Sequence, residues 1–338
     1  MAHEAKLTEG RQLSSIFFGG GTPSLMPPSL AQKLIEAADS HWGLTPDAEI
    51  TLEANPSSVE AARFADLAAA GVNRVSLGLQ ALDDAALHFL GRAHDVDEGL
   101  AALDVAQRCF NRVSFDIIYA RPDQSVAEWE RELKRALGFG TDHLSLYQLT
   151  IEPGTRFETL VRQGAFVPAD ADHAATLYEV TQALTEAAQM PAYEVSNHAR
   201  RGQESRHNLT YWRYDDFVGI GPGAHGRRNR TATVRHRKPE NWMAAIDRNG
   251  HGLSEETPLD PQDQATEALV MGLRLAEGVD LSHIATASSR DASLLVNDAA
   301  VARYEGLGLL RRQGMRLQVT GAGMLLLEAL LAEIVMVD

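Results

Sequence analysis

Cysteine is almost absent from this chain, whose 338 residues include a single one, Cys109. One thiol excludes an internal disulfide, which fits a reducing cytosol. It also leaves no ligand set for an iron–sulfur cluster, because such clusters are normally held by three or four thiolates. Cys109 falls on an expected helix, and we expect it to pack there as a small apolar side chain.

Two further absences narrow the class of protein. No apolar run approaches the roughly 18 residues of a membrane-spanning helix, and the first residues, MAHEAK, lack an apolar signal segment. A general nucleic-acid binder needs a basic face, whereas this chain has a formal charge of −15. We therefore expect a cytoplasmic protein with no nucleic-acid partner.

What the chain does have is a regular alternation of strands and helices. Strand patterns at 15–18, 49–54, 74–79, 113–118 and 143–149 are separated by helical stretches, as in parallel βα units. This spacing fits either a doubly wound sheet or a barrel. Five glycine or polar residues lie at or near the C-terminal ends of these strands, and in a barrel every such end faces one mouth. The five are Gly19, Glu53, Gln80, Asp116 and Gln148. They favour a barrel or partial barrel.

The first strand ends in the loop Gly19-Gly20-Gly21-Thr22. Glycine adopts positive φ and lets the backbone approach a ligand closely, and successive N–H groups in such a loop can face that ligand. A plain turn is the alternative. The apolar run before the loop and the helix after it favour ligand binding.

The regular alternation of strand and helix patterns ends after residue 150. A long amphipathic helix at 169–188 precedes a region rich in His, Arg, Asn, Tyr and Gly, and a polar stretch with two prolines follows at 255–261. We expect a barrel domain over residues 1–255, with a His- and Arg-rich extension from about 190. A helical, winged-helix-like α+β domain is expected over 256–338.

Several motifs occur in an order that resembles the radical S-adenosylmethionine family of oxygen-independent coproporphyrinogen III oxidase. They are GGGTPS (19–24), EANP (53–56), SLGLQ (76–80), LGRAH (90–94) and SFDIIY (114–119). The runs YEVSN (193–197), HNLTYW (207–212) and GIGPGAH (219–225) are similar to the haem-chaperone (HemW-type) branch. The resemblance covers nearly the whole chain. It implies a partial TIM-like barrel that lacks its first βα unit and binds S-adenosylmethionine across its mouth.

The resemblance also implies which residues contact that cofactor. The glycine loop would meet its methionine end, and polar side chains at the strand ends would bind the rest. The predicted contacts are Gly19, Gly20, Gly21, Thr22, Glu53, Gln80, Arg92 and Asp116. Carboxylates accept hydrogen bonds from hydroxyls or an ammonium, and arginine pairs with a carboxylate through two bonds. Taken singly, Glu53 fits an exposed strand residue, Arg92 a helix-end salt bridge and Asp116 a loop cap.

The segment 207–212 places an imidazole, His207, near two aromatic rings, Tyr211 and Trp212. Haem needs an axial donor and flat apolar walls, and the resemblance implies haem handling. His207 is therefore the candidate iron ligand; a core histidine with two packing rings is the alternative. The arginine-rich run at 227–238 fits porphyrin propionates or a solvated loop.

Members of this family carry a Cys-x3-Cys-x2-Cys loop before the glycine motif, whereas none of the eighteen residues before Gly19 is cysteine. We expect a start assigned too late, inside the true first helix. As given, the chain should lack the ligands of the family's [4Fe–4S] cluster and perform no radical chemistry.

The sequence thus predicts a haem chaperone-like protein that delivers haem to a membrane-associated respiratory acceptor. One alternative is oxygen-independent coproporphyrinogen III oxidase, which decarboxylates porphyrinogen propionates and requires the missing cluster segment. Another is an unrelated barrel enzyme that binds a phosphorylated substrate at residues 19–22.

Overall fold

The computed structural model describes residues 1–336 of the chain. The chain divides into two compact units. The barrel unit consists of Ser15–Ile35 and Ala48–Glu204, and the carboxyl unit consists of Met1–Ser14, Glu36–Asp47 and the chain from Ser205 on. A domain boundary near residue 255 stays a prediction.

Strands and helices alternate over the first 200 residues, as the hydrophobic pattern predicts. In chain order the elements are α1 (Ala2–Leu7), β1 (Leu13–Phe18), α2 (Pro28–Trp42), β2 (Leu44–Ala54), α3 (Ser58–Ala61), α4 (Phe64–Ala69), β3 (Arg74–Gln80), α5 (Asp84–Phe89), α6 (Val96–Cys109), β4 (Arg112–Tyr119), α7 (Val126–Leu137), β5 (His143–Gln148), α8 (Arg156–Arg162), α9 (Ala171–Ala187) and β6 (Asn197–Ala199). β2 begins earlier than predicted, because its first residues, LTPDA, do not alternate in polarity.

Six strands form one sheet in the order β1-β2-β3-β4-β5-β6, which curls into a half-barrel. β2 to β5 pair in parallel, and β6 joins β5 antiparallel. Strand order in a doubly wound sheet reverses at its switch point, whereas here it follows the chain. The prediction of a partial barrel is confirmed.

The core of the barrel unit lies between the outer face of the sheet and its helices. Leu77 and Phe115, on neighbouring strands, are fully buried, as is Trp129 of α7. The indole of Trp129 stacks on Tyr119 with 4.7 Å between ring centroids. It also donates a hydrogen bond of 2.8 Å to Thr181 of α9. These contacts fix the helices against the strands that carry the site.

The inner face of the sheet carries charged side chains near the amino ends of the strands. Glu49, on the same face of β2 as Glu53 by strand alternation, has a fully buried side chain. Its Oε2 lies 2.6 Å from Nη1 of Arg112 and 3.8 Å from Nε of Arg74. Arg74 also donates to the Ser114 hydroxyl at 2.9 Å. This end of the half-barrel is therefore filled by an ion cluster.

The later elements build two small antiparallel sheets with helices. They are α10 (Arg206–Trp212), β7 (His225–Arg228), β8 (Thr231–Arg235), α11 (Pro239–Asn249), β9 (Leu253–Pro258), α12 (Pro261–Gly272), β10 (Val279–Asp280), α13 (Leu281–Ser288), α14 (Asp298–Gly306), β11 (Leu310–Gln313), β12 (Arg316–Val319), α15 (Gly321–Met324) and α16 (Leu327–Ile334). One sheet has the order β7-β8-β9, and the other has the order β10-β12-β11. The second, with its helices, matches the predicted winged-helix-like module.

The arginine-rich run lies mainly on β7 and β8, not in a solvated loop. Strand alternation turns Arg228 and Arg235 to a buried face, where they are 6% and 4% exposed. Both bind Glu4 of α1, at 2.5 Å for Arg228 and 2.7 Å for Arg235. The solvated-loop interpretation is wrong for these two residues, and their guanidiniums are already paired with a carboxylate.

Among residues 1–336, none of the helices combines the length and the apolar character that crossing a lipid bilayer requires.

Candidate functional site

A cavity of about 200 Å³ lies at the carboxyl ends of the barrel strands. Six of the eight barrel residues predicted from the sequence line it: Gly21, Thr22, Glu53, Gln80, Arg92 and Asp116. The other two, Gly19 and Gly20, belong to the same loop, and the N–H of Gly20 donates to Oε2 of Glu53 at 3.2 Å. The structure thus brings together side chains from strands β2, β3 and β4 with the loop after β1.

The glycine loop depends on its residue type. Gly20 and Gly21 have φ of +81° and +67°, a region in which a side chain is strained. At Gly19 a Cβ would lie 2.6 Å from the Phe17 ring and 3.3 Å from Oε2 of Glu53. The loop therefore passes close to the Glu53 carboxylate because these positions lack side chains.

Gln80 reaches the cavity through an irregular strand end. Its φ is +70°, and the register of β3 with β4 shifts between Leu77 and Gln80. The N–H of Ala81 bonds to the carbonyl of Leu79 at 2.9 Å, so Gln80 is the centre of a three-residue turn. Such bulges and strained residues occur next to functional sites, where they re-aim side chains.

The charge of the cavity is set by two carboxylates and one guanidinium. Burial raises the pKa of Asp116 from 3.8 to about 6. The Ser145 hydroxyl lowers this pKa, the Glu53 carboxylate raises it further, and Arg74 and Arg92 oppose the rise. The cavity therefore suits a ligand that brings a positive charge and several hydrogen-bond donors.

The contribution of Asp116 to the stability of the unliganded protein should be smaller at neutral pH than in mild acid. Its folded pKa lies above its unfolded one, so the native state binds more protons between pH of about 4 and 6 and stability falls as pH rises through that window. Relative to wild type, Asp116→Asn should gain about 1–3 kcal/mol in free energy of unfolding between pH 4 and pH 7.5. Urea titrations at both pH values measure this. Asp66→Asn, at an exposed site on α4, is the control, and equal pH profiles for wild type and Asp116→Asn would refute the prediction.

Sequence reasoning missed two polar residues of the cavity, Asn55 and Ser76. Both lie in motifs that carried the family resemblance, and this was the signal available for them. Gln148, the polar residue that ends β5, instead donates to the carbonyl of Ala174 at 2.7 Å.

The residues predicted for haem lie on α10 in the carboxyl unit and do not form one group. The rings of His207 and Tyr211 meet edge to face, with 4.7 Å between centroids, and Tyr211 contacts Phe217 at 4.4 Å. Trp212 instead has the Arg274 guanidinium 5.3 Å from its ring centroid. It lines a cleft that neither His207 nor Tyr211 lines.

Among the residues that the structure describes, no group of three or more His, Cys, Asp or Glu side chains could hold a metal ion. Cys109 lies half-buried at the end of α6. The expectation that this chain lacks the ligands of the family's iron–sulfur cluster stays a prediction.

Comparisons with known proteins agree with this architecture. Residues 1–136 match the Radical SAM superfamily, and residues 259–326 match the HemN C-terminal domain. Radical S-adenosyl methionine domain-containing protein 1, mitochondrial, of Bos taurus is 43% identical over 287 residues, which cover 82% of this chain and 65% of the bovine protein. The chain thus spans about 65% of the length of this relative.

Two bacterial proteins are also similar. Heme chaperone HemW of Escherichia coli K12 is 37% identical over 286 residues, which cover 81% of this chain and 72% of that protein. The structure of coproporphyrinogen III oxidase (HemN) from Escherichia coli, a radical SAM enzyme, superposes with a TM-score of 0.78 at 22% identity, over 98% of this chain and 79% of that one. The similarity to HemN shows that this chain and HemN share a fold.

Proposed function

Because this chain belongs to the HemW family of radical S-adenosylmethionine proteins, we propose that it is a haem chaperone that binds S-adenosylmethionine in the barrel. The observation that carries the cofactor part is the gathering of Glu53, Gln80, Arg92 and Asp116 around one cavity. Haem binding is supported by its bacterial relatives, which are heme chaperones named HemW. The oxidase alternative is supported by the match to the HemN C-terminal domain and by the shared fold.

Each cavity residue suits a different chemical group of the cofactor. Glu53 and Asp116 are acceptors for its amino group and ribose hydroxyls, and Arg92 is a two-pronged donor for its carboxylate. Gly20 holds Glu53 in place through its N–H. When bound, S-adenosylmethionine supplies a sulfonium group whose carbon–sulfur bond is open to reduction. The proposal asks of this chain's residues only that they bind and orient it.

Binding measurements on the full chain test the cofactor site. Wild type should bind S-adenosylmethionine in calorimetry, and Arg92→Ala or Glu53→Gln should weaken it roughly 10–100-fold, because each removes a charged hydrogen-bond partner. Gln148→Ala is the matched control, since Gln148 also ends a barrel strand but bonds elsewhere.

The outcomes separate the alternatives. Unchanged affinity in both cavity variants would move the cofactor out of this cavity. A wild type that binds a phosphate ester but no S-adenosylmethionine would favour the unrelated-barrel enzyme instead.

The haem part also includes residues and partners that the sequence suggested. We propose Trp212 as a haem contact. Iron ligation by His207 and a haem contact of Tyr211 stay predictions. The membrane-associated respiratory acceptor and the cytoplasmic location stay predictions too. Titration of the full chain with ferric haem should give a saturable shift of the Soret band, and a linear response without saturation would refute haem binding.

A further inference from the structure

The carboxyl unit contains a cleft of about 560 Å³, a size typical of small-molecule sites. Its lining comes from α10 and the loop after it, from α12 and α13, and from Arg11 and Arg316. All of these residues belong to the carboxyl unit. The cleft is separate from the cofactor cavity of the barrel, since the two share no lining residue.

The floor of the cleft is apolar and built from small or branched side chains. Ala268 and Gly272 of α12, Val279 of β10 and Ile284 of α13 line it, and all four are buried. Gly272 leaves no room for a side chain, because a Cβ there would come within 2.4 Å of Cγ1 of Val279. Such a floor accommodates a flat, apolar molecule.

Aromatic rings and guanidiniums form the walls and the rim. Trp212 and Tyr214 line the cleft, and the Arg227 guanidinium lies 3.5 Å from the Tyr214 ring centroid. The Nε of Arg227 is buried and has no hydrogen-bond partner among the described residues. An anionic group entering the cleft would supply one.

Further arginines lie at the rim of this cleft although the chain is strongly acidic. Arg11, Arg230 and Arg316 line it together with Arg227, and so do the acidic residues Asp215, Asp216, Glu277 and Asp280. Arg230 donates to the Ala287 carbonyl and the Ser289 hydroxyl, and Arg316 donates to the Glu277 carbonyl. Arg11 is only loosely paired with Asp216, at 3.5 Å, and its side chain is 62% exposed. Arginine forks match carboxylates through two parallel bonds. Arg11, which is exposed, and Arg227, whose Nε has no partner among the described residues, are thus the donors for the anionic arms of a ligand, and the floor suits its apolar body.

The cleft also has an imidazole side chain that could bind haem iron. His283, on α13, lines the cleft and is exposed. Neutral imidazole is a common axial ligand of haem iron. The carboxylate of Asp215 lies near enough to His283 for the charges of the two groups to interact.

We infer that haem binds in this cleft, with its ring between the apolar floor and Trp212, its carboxylates at the arginine rim and His283 as the iron ligand. The inference rests on the proposed haem-binding function and assigns its site. It places Trp212 in contact with haem and leaves His207 and Tyr211 outside the site.

Titration of the full chain with ferric haem and with metal-free protoporphyrin tests the location. Ala287→Trp fills the cleft from an exposed position of α13 and should weaken both ligands by more than about tenfold. Thr286→Trp is the control, since Thr286 is exposed next to Ala287 but does not line the cleft. His283→Ala should change the Soret position and weaken haem alone, while His225→Ala, at another exposed histidine, should change neither.

The results distinguish the location of the haem site from haem binding itself. If Ala287→Trp and His283→Ala bind haem as tightly as wild type does, haem binds elsewhere in the protein and the cleft is not its site. Loss of the Soret shift in His207→Ala with His283→Ala unaffected would assign the iron to α10 and overturn the inference. If circular dichroism shows that Ala287→Trp does not fold, the comparison of the Soret bands of His283→Ala and His207→Ala identifies the iron ligand. A wild type without saturable binding refutes the haem proposal itself.

Discussion

Replacing Glu49 by alanine should lower the free energy of unfolding by about 3–5 kcal/mol, because the change leaves buried guanidiniums without a counter-charge. The Glu49 carboxylate is fully buried and lies between Arg112 and Arg74. Arg74 is 3% exposed; burial lowers its pKa, and the Glu49 carboxylate opposes that fall. The ion cluster thus depends on this carboxylate.

Urea denaturation at pH 7 measures the effect, with Glu130→Ala as the control. Glu130 pairs with Lys134 at 2.9 Å on an exposed face of α7, and such helix pairs contribute only about 0.2–0.5 kcal/mol. A loss below about 1 kcal/mol in Glu49→Ala, no larger than for a surface pair, would mean that the arginines are hydrated or find other partners.

Glu4→Ala should destabilise the carboxyl unit by a similar amount, about 3–5 kcal/mol. Glu4 binds Arg228 and Arg235 at once, and the three side chains are each no more than 7% exposed. Arg228 keeps a second ion-pair partner in Glu256, whereas Arg235, which is ion-paired with Glu4, interacts with Glu256 only through the longer-range effect of its charge. Thermal melting compares Glu4→Ala with Glu9→Ala, a substitution at an exposed glutamate just after the same helix.

This experiment also tests whether the two buried arginines serve haem. If they held propionates, Glu4→Ala would release two cations and strengthen haem binding. Tighter haem binding with an unchanged melting temperature would therefore contradict the structural role of this cluster.

The half-barrel was predictable because its signals are local. Period-two strands, helix caps and the glycine loop each occupy a few consecutive residues, and Glu53 and Asp116 stand at strand ends that the pattern itself marks. Parallel strands then bring these ends to one mouth. Pairings between distant residues, such as Glu4 with Arg235, leave no such local trace.

The β7–β8 hairpin shows why a solvated loop remained one of the two interpretations of the arginine run. Its turn residues, Asn229 and Arg230, both have positive φ, and two-residue turns of this kind usually carry Asn-Gly. With arginine in the second position and polar residues along both strands, the hairpin signal was weak. Asn229 was the one residue that pointed to it.

The haem motif was read as one group because its residues are close in sequence. His207 and Trp212 lie five positions apart on α10, which turns them about 140° from each other around the helix axis. Tyr211, four positions from His207, stays on the same side. The sequence pattern did not predict this short helix, and so the separation of Trp212 was missed.

The discontinuous make-up of the carboxyl unit has a consequence for synthesis on the ribosome. Glu4 and its partner Arg228 are 224 residues apart in the chain, and at about 5–20 residues per second roughly 10–45 s pass between their syntheses. During that interval the barrel unit, whose last residue is Glu204, can complete its own contacts. Until Arg228 has been synthesised, Glu4 of α1 lacks this arginine as its ion-pair partner. Folding order is thus built into the chain: barrel first, carboxyl unit last.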